Sequence, residues 1–244
     1  MSVTNAITLY QHQLDQLEKL KKGLLQKLFP QDGQKAPYVR FADFHGDWEL
    51  RKLEQLSDLQ DGDRGKNYPS EYDFSQMGHT IFLNAKNVTK YGFSFKSNQY
   101  ISLEKSELLG GGKLITNDIV LTTRGSIGNT ALYDTDISNR FPSARINSGM
   151  LIIRVNSNIS SEFIVQFLIS YRGQIKLKKV SFGSAQPQLT KKDMLQYNTP
   201  ITNHKEQTKI GLLLKKIDQT IILYQNKIND YKSMKKYCLQ KLFI

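Results

Sequence analysis

Apolar residues recur at positions 7, 10, 14, 17, 20, 24 and 28, and again at 221, 224, 228, 231, 234, 238 and 242. Steps of three and four over this length predict two amphipathic helices with a coiled-coil-like seam. The two stripes are copies of one sequence. Shifted by 214 residues, positions 7–29 (ITLYQHQLDQLEKLKKGLLQKLF) overlie 221–243 (IILYQNKINDYKSMKKYCLQKLF) with 11 of 23 residues identical. Stripes alone can coincide, but shared Lys-Lys and Leu-Gln-Lys-Leu-Phe strings at one offset indicate duplication. The second copy continues upstream through Ile210, Leu213, Leu214 and Ile217, with Pro200 ahead of it. Met1 aligns with Lys215, so the first copy reads as a repeat without its earlier part, half of a longer ancestor.

Between the helices the period changes. Pro30, Gly33 and Pro37 break the first helix. Runs at 80–83, 118–123, 130–133 and 149–155 are β-branched or aromatic, are bounded by Gly, Asn and Asp, and predict strands. Residues 161–170 predict a helix with Ser160 or Ser161 as N-cap and Phe163, Phe167 and Leu168 on one face. Trp48, following Phe41 and Phe44, reads as a core anchor rather than a base-stacking platform. The expected fold class is α+β: one mixed α/β domain at 31–200, flanked by long helices at 1–30 and 201–244 that form an antiparallel coiled-coil-like pair.

The chain has 244 residues, 39% hydrophobic and 23% charged, which is ordinary globular composition and excludes disorder or a collagen-like repeat. Apolar runs such as 150–153 are far shorter than the ~18 residues of a membrane span, and the N-terminus has no apolar signal region, so a cytoplasmic location is expected. The single cysteine, Cys238, and four scattered histidines predict neither an internal disulfide nor a metal site. The net charge of +12 adds a partner class, because basic proteins release counterions from polyanions. It is unevenly placed: residues 31–120 hold 11 basic against 13 acidic groups, while 121–192 hold 10 against 3. A nucleic-acid face within 121–192 is the reading to weigh against a merely solubilising surface.

Two loops carry candidate contacts. Residues 122–129 (TTRGSIGN) follow an apolar strand and offer Arg124, Ser126 and Asn129 beside two glycines that let backbone amides approach a phosphate or base edge. Residues 181–190 (SFGSAQPQLT) offer Ser184 and Gln186, and glutamine can pair bidentately with adenine. Lys176, Lys178, Lys179, Lys191 and Lys192 flank that loop as phosphate contacts, and Arg145 completes the set. A plain turn and a plain polar loop are the alternatives. Residues 110–113 (GGGK) lack phosphate-loop spacing and read as a flexible turn, and Glu104 and Glu107 as a solvated turn. Neither a nucleophile elbow, an adenine-methyltransferase motif, a glycine-rich cofactor loop nor acidic metal spacing is present, and Asp230-Tyr231-Lys232 lies on a repeat helix. No catalytic residue, cofactor or metal is expected.

Arg40-Phe41 to Gly46-Asp47-Trp48-Glu49, residues 117–121 leading to Arg124-Gly125 and Gly128, Gly183-Ser184-Ala185-Gln186, and Glu206-Gln207-Thr208-Lys209-Ile210 resemble recurring strings of one family. That family is the specificity subunits of type I restriction-modification systems, which alternate two target-recognition domains with two long helices. The resemblance covers nearly the whole chain and implies a non-catalytic reader of double-stranded DNA. Such a reader docks methyltransferase (M) and restriction/translocase (R) subunits and directs adenine methylation and restriction to a bipartite site. This chain departs from the family in size, with one recognition domain where a full subunit has two. Self-association through the helices, as a homodimer with a second recognition domain at the far end, is expected to restore the two-domain arrangement. A stand-alone DNA-binding regulator, an inactive recombination cassette and a solitary nuclease are the competing readings.

Overall fold

The computed structural model describes residues 2–181 and 188–242. In chain order its elements are α1 (Val3–Lys27), β1 (Glu49–Lys52), β2 (Ser57–Asp61), β3 (Thr80–Leu83), β4 (Val88–Thr89), β5 (Gly92–Phe93), β6 (Tyr100–Ile101) and α2 (Leu103–Glu107). There follow β7 (Asp118–Thr122), β8 (Thr130–Tyr133), α3 (Thr135–Arg140), β9 (Ala144–Ile146) and β10 (Met150–Val155). The chain continues with α4 (Ser161–Ile169), α5 (Tyr171–Val180), α6 (Lys191–Leu195), β11 (Asn198–Ile201) and α7 (His204–Leu242).

A four-stranded antiparallel sheet in the order β2-β10-β7-β8 centres the domain. Because side chains alternate along a strand, its buried strands feed two cores. Ile119 and Leu121 of β7 join Leu151 and Ile153 of β10 against Phe163, Ile164 and Phe167 of α4. Val120, Met150 and Ile152 face the other way, onto Ile81 and Leu83 of β3 and Ala144 and Ile146 of β9. Covered on both faces, β7 is buried at every position. The second core is closed by the β6-β3-β9 sheet, in which β3 and β9 run parallel. Ser160 caps α4 by accepting the Phe163 amide at 3.2 Å. Residues 103–107, read as a turn, form the short helix α2. The 110–113 glycines are packed as well: the Gly112 carbonyl accepts the Ile146 amide at 2.9 Å.

The two repeat helices pack antiparallel. Lys21 pairs with Asp218 near one end, and the Tyr10 ring lies 5.6 Å from Tyr224 and 5.7 Å from Tyr231 further along. Leu14 is buried with Ile217, Ile221 and Ile228. Tyr224 and Ile228 are the repeat equivalents of Tyr10 and Leu14, so the duplicated segments face one another across a pseudo-two-fold centre. The seam is narrower than the stripes. Leu20 is 51% exposed, because one partner helix covers only a line along the stripe, and Met234 and Cys238 lie in the stretch 232–240, which is exposed on every face.

A buried joint ties this pair to the domain. Glu206, fully buried, receives the Arg40 fork, Nε to Oε1 at 2.7 Å and Nη2 to Oε2 at 2.8 Å, while Arg40 Nη1 donates to the Gly46 carbonyl at 2.6 Å. The neighbouring Gln207 accepts the Ser160 amide at 3.0 Å and donates to the Thr202 carbonyl at 2.6 Å. Trp48 packs between Phe29 and Phe163. β1 pairs with β11 beside the joint, bringing the two ends of the domain together.

Candidate nucleic-acid interface

At one end of the central sheet β2 and β7 terminate and β8 and β10 begin, so their connecting loops emerge on the same side. The β7–β8 loop is fixed at its base. The Thr122 hydroxyl donates to the Ser126 carbonyl and receives the Asn129 amide at 3.1 Å. Thr123 N–H donates to the Gly149 carbonyl at 2.8 Å, joining this loop to the β9–β10 turn. Gly128 has φ +83° and rests on Gln174, whose Nε2 donates to its carbonyl at 3.0 Å. A side chain there would be strained by the backbone and crowded by Gln174. This hydrogen bond seats the loop on α5, and the Leu189 amide donates to the Thr123 carbonyl at 3.1 Å, bringing the segment before α6 to the same place.

Six expected contacts gather around this edge. Arg124 and Ser126 are exposed in the loop, Lys178 and Lys179 occupy the last turn of α5, and Lys191 and Lys192 open α6. Lys178, Lys179 and Lys192 are exposed and Lys191 half-buried. Among the described residues, neither Arg124 nor these four lysines form an ion pair. The α5 lysines also complement the partial negative charge of its C-terminus. Asn129 is at the edge, but its amide is committed to the Val88 carbonyl at 3.0 Å. Ser184 and Gln186 lie outside the described residues.

Arg145 and Lys176 depart from the expectation. Arg145 is buried, donating from Nε to the Ser106 hydroxyl at 2.9 Å and from Nη1 to the Gly111 carbonyl at 2.6 Å. Burial lowers its pKa, with Asp63 opposing the shift. Its guanidinium braces the β9 strand instead of meeting solvent. Lys176 points inward from α5, 3.4 Å from the Asn198 carbonyl and 5.5 Å from the Phe167 ring centroid. Its pKa is likewise lowered by burial, against the pull of Asp32. Arg154 and Arg172 are also spent internally, on Asp118 and Asp32. Four of the ten basic residues of 121–192 are therefore spent on the fold.

Arg64, in the turn after β2, belongs to the same sheet end and was hidden by the acidic balance of residues 31–120. Its Nη2 lies 3.2 Å from both Asp61 Oδ1 and the Ser148 carbonyl. The local signal was a glycine- and aspartate-rich turn holding one arginine (DGDRGK, 61–66).

The family model of the type I restriction modification DNA specificity domain matches residues 45–231, which includes the edge, most of the domain and most of α7. The chain belongs to that family. A specificity subunit of the type I restriction enzyme MjaVIII from Methanocaldococcus jannaschii is 24% identical over 98% of this chain and 56% of its own length. An HsdS subunit from Thermoanaerobacter tengcongensis superposes with TM-score 0.61 at 17% identity, over 98% of this chain and 53% of that one. A type I S subunit from M. genitalium gives 0.62 at 15%, over 98% and 59%. A chain from a structural study of complex assembly in a type I R-M system gives 0.64 at 16%, over 96% and 53%. These structural likenesses establish the specificity-subunit fold. The chain spans a little over half the length of the relatives it matches.

Proposed function

We propose that this chain reads DNA as the specificity subunit of a type I restriction-modification complex, itself non-catalytic and directing adenine methylation and restriction to a bipartite site. The family model carries this reading, since it encloses the open basic edge and most of α7. Residues 31–200 act as the target-recognition domain, and 1–30 and 201–244 as the helices that dock M subunits and, for cleavage, R subunits. The reading edge comprises Arg124, Ser126, Lys178, Lys179, Lys191 and Lys192, with Ser184 and Gln186 on the adjoining segment. The partner in this reading is double-stranded DNA and the location the cytoplasm, and no cofactor is assigned to the chain.

The exposed flanks of the helix pair fit a second copy, which sets another recognition domain at the far end. At ~1.5 Å per residue, the shorter and longer helices give a rod of roughly 40 to 58 Å, or on the order of 12 to 17 base pairs at ~3.4 Å. A two-fold dimer presents identical domains in opposite orientations, so the site is expected to be a bipartite palindrome with an unread spacer. Mixing the chain with a matching methyltransferase subunit and mapping methylated adenines tests both points. A bipartite palindrome supports the dimer, and an asymmetric or contiguous motif rejects it. Tight site-specific binding with no methylation in the mixture would favour a stand-alone regulator.

A further inference from the structure

We propose that Arg64 is a second base-reading arginine, specifying a base pair distinct from the one met by Arg124. The inference rests on the proposed DNA-reading role and assigns part of its specificity. β2 and β7 flank β10 on either side, with Asp61 opposite Leu151 and Thr122 opposite Met150. Arg64 and Arg124 therefore leave the same sheet end two strand spacings apart, about 10 Å. That is about three base steps of ~3.4 Å. The β9–β10 turn lies between them: Ser148 supplies a carbonyl to Arg64, and a Cβ on Gly149 would come within 3.9 Å of the Arg124 Cβ.

The Arg64 turn is rigid at its root. A Cβ on Gly62 would stand 2.0 Å from the Asn147 carbonyl oxygen, so the turn packs backbone to backbone on its neighbour. Asp63 spans the Gly65 amide and the Gly110 amide, each at 2.7 Å, and is thereby occupied. Asp61 is left facing the guanidinium, which it and Ser148 hold by one nitrogen, while the side chain stays 53% exposed. The arginine is thus partly ordered before any ligand arrives, with less rotamer freedom to lose on binding.

Charge distinguishes a base edge from a phosphate as its target. Residues 61–66 hold Asp61 and Asp63 against Arg64 and Lys66, so the turn is neutral and attracts a phosphate weakly. Residues 123–129 hold Arg124 and no carboxylate. Exchanging one of the two 3.2 Å Nη2 contacts frees the planar fork for guanine N7 and O6, a match that does not depend on net charge.

Selection from a randomised duplex library by the full chain, alone and with its methyltransferase subunit, tests this. Arg64→Ala is expected to relax the preference for one G·C pair, about three positions from the pair relaxed by Arg124→Ala, by roughly 5- to 150-fold. Arg64→Gln should move that position toward adenine, and neither variant should change the salt slope or the thermal midpoint. An unaltered motif in both Arg64 variants overturns the proposal while leaving the DNA-reading role intact. So does a uniform loss across sequences with a slope lower by about 0.9, which marks a phosphate contact, or a collapse of the thermal midpoint, which marks a structural role. If the wild-type chain selects no motif, alone or with the subunit, the DNA-reading role itself fails.

Discussion

At the joint, the Arg40 side chain is 15% exposed and its fork is closed on a carboxylate with no exposure at all. At the sheet edge, Arg124 is exposed and, among the described residues, forms no ion pair. Both arginines sit in short strings that carry the family resemblance, yet their chemistry differs. A charge taken out of water has to be paired and hydrogen-bonded, so the joint consumes its polar groups in fixing α7 to the domain. A charge left at a sheet end is not required by the fold and keeps its donors for a ligand.

Breaking the joint should have the largest effect. Arg40→Ala leaves Glu206 buried without its counter-charge and is expected to lower stability by about 3–5 kcal/mol. Arg124→Ala should stay within about 0.5 kcal/mol. Urea denaturation of the two variants measures both, and equal midpoints would dissolve the contrast. Replacing the pair together, Arg40→Met with Glu206→Leu, should recover part of the loss, since it removes the unpaired buried charge but leaves the Gly46 and His45 carbonyls and the Thr202 hydroxyl without their partner.

The open edge is probed through salt. Changing Lys178, Lys179, Lys191 and Lys192 to Gln should flatten the slope of log affinity against log salt by as much as about 0.9 per lysine. A slope equal to wild type with weakened binding would show that these lysines act through the fold, as Arg145 does. Arg124→Ala is expected to cost about 1–3 kcal/mol at one base pair. A loss equal on every sequence would instead mark Arg124 as a phosphate contact.

What could be read from the sequence was set by local periodicity. The 80–83 and 130–133 strands and the Ser160-capped helix stand where their β-branched runs and N-cap signals put them. The duplicated helices were legible because their strings repeat at one offset. Partners distant in sequence were not legible. Arg145 and Arg124 are 21 positions apart in one basic stretch, but Ser106 and Gly111, which satisfy Arg145, come from 39 and 34 residues earlier. Likewise β1 pairs with β11 across the whole domain, a pairing that four-residue strands do not announce. Arg64 was not legible because residues 31–120 are acidic on balance, although in space Asp63 beside it is taken up by the Gly65 and Gly110 amides.

The smallest expected effect is at Lys176, and it separates lysines by environment rather than by charge. Its ammonium sits against the Asn198 carbonyl and the Phe167 ring, where burial lowers its pKa from the ordinary 10.5 and Asp32 only partly opposes this. Lys176→Met keeps the apolar stem on Phe167 and removes one weak donor together with its desolvation, a change of about 1 kcal/mol or less. The salt slope should not move, in contrast to the four-lysine variant; a drop of about 0.9 would return Lys176 to the phosphate contacts. A pH signature follows from the sign of the shift. With a folded pKa below the unfolded one, the unfolded chain binds more protons between the two values, so stability rises with pH across that window. The wild type should therefore gain stability relative to Lys176→Met as pH is raised from the folded value toward 10.5. Parallel curves of unfolding free energy against pH would mean that Lys176 is as well solvated as its neighbours Lys178 and Lys179.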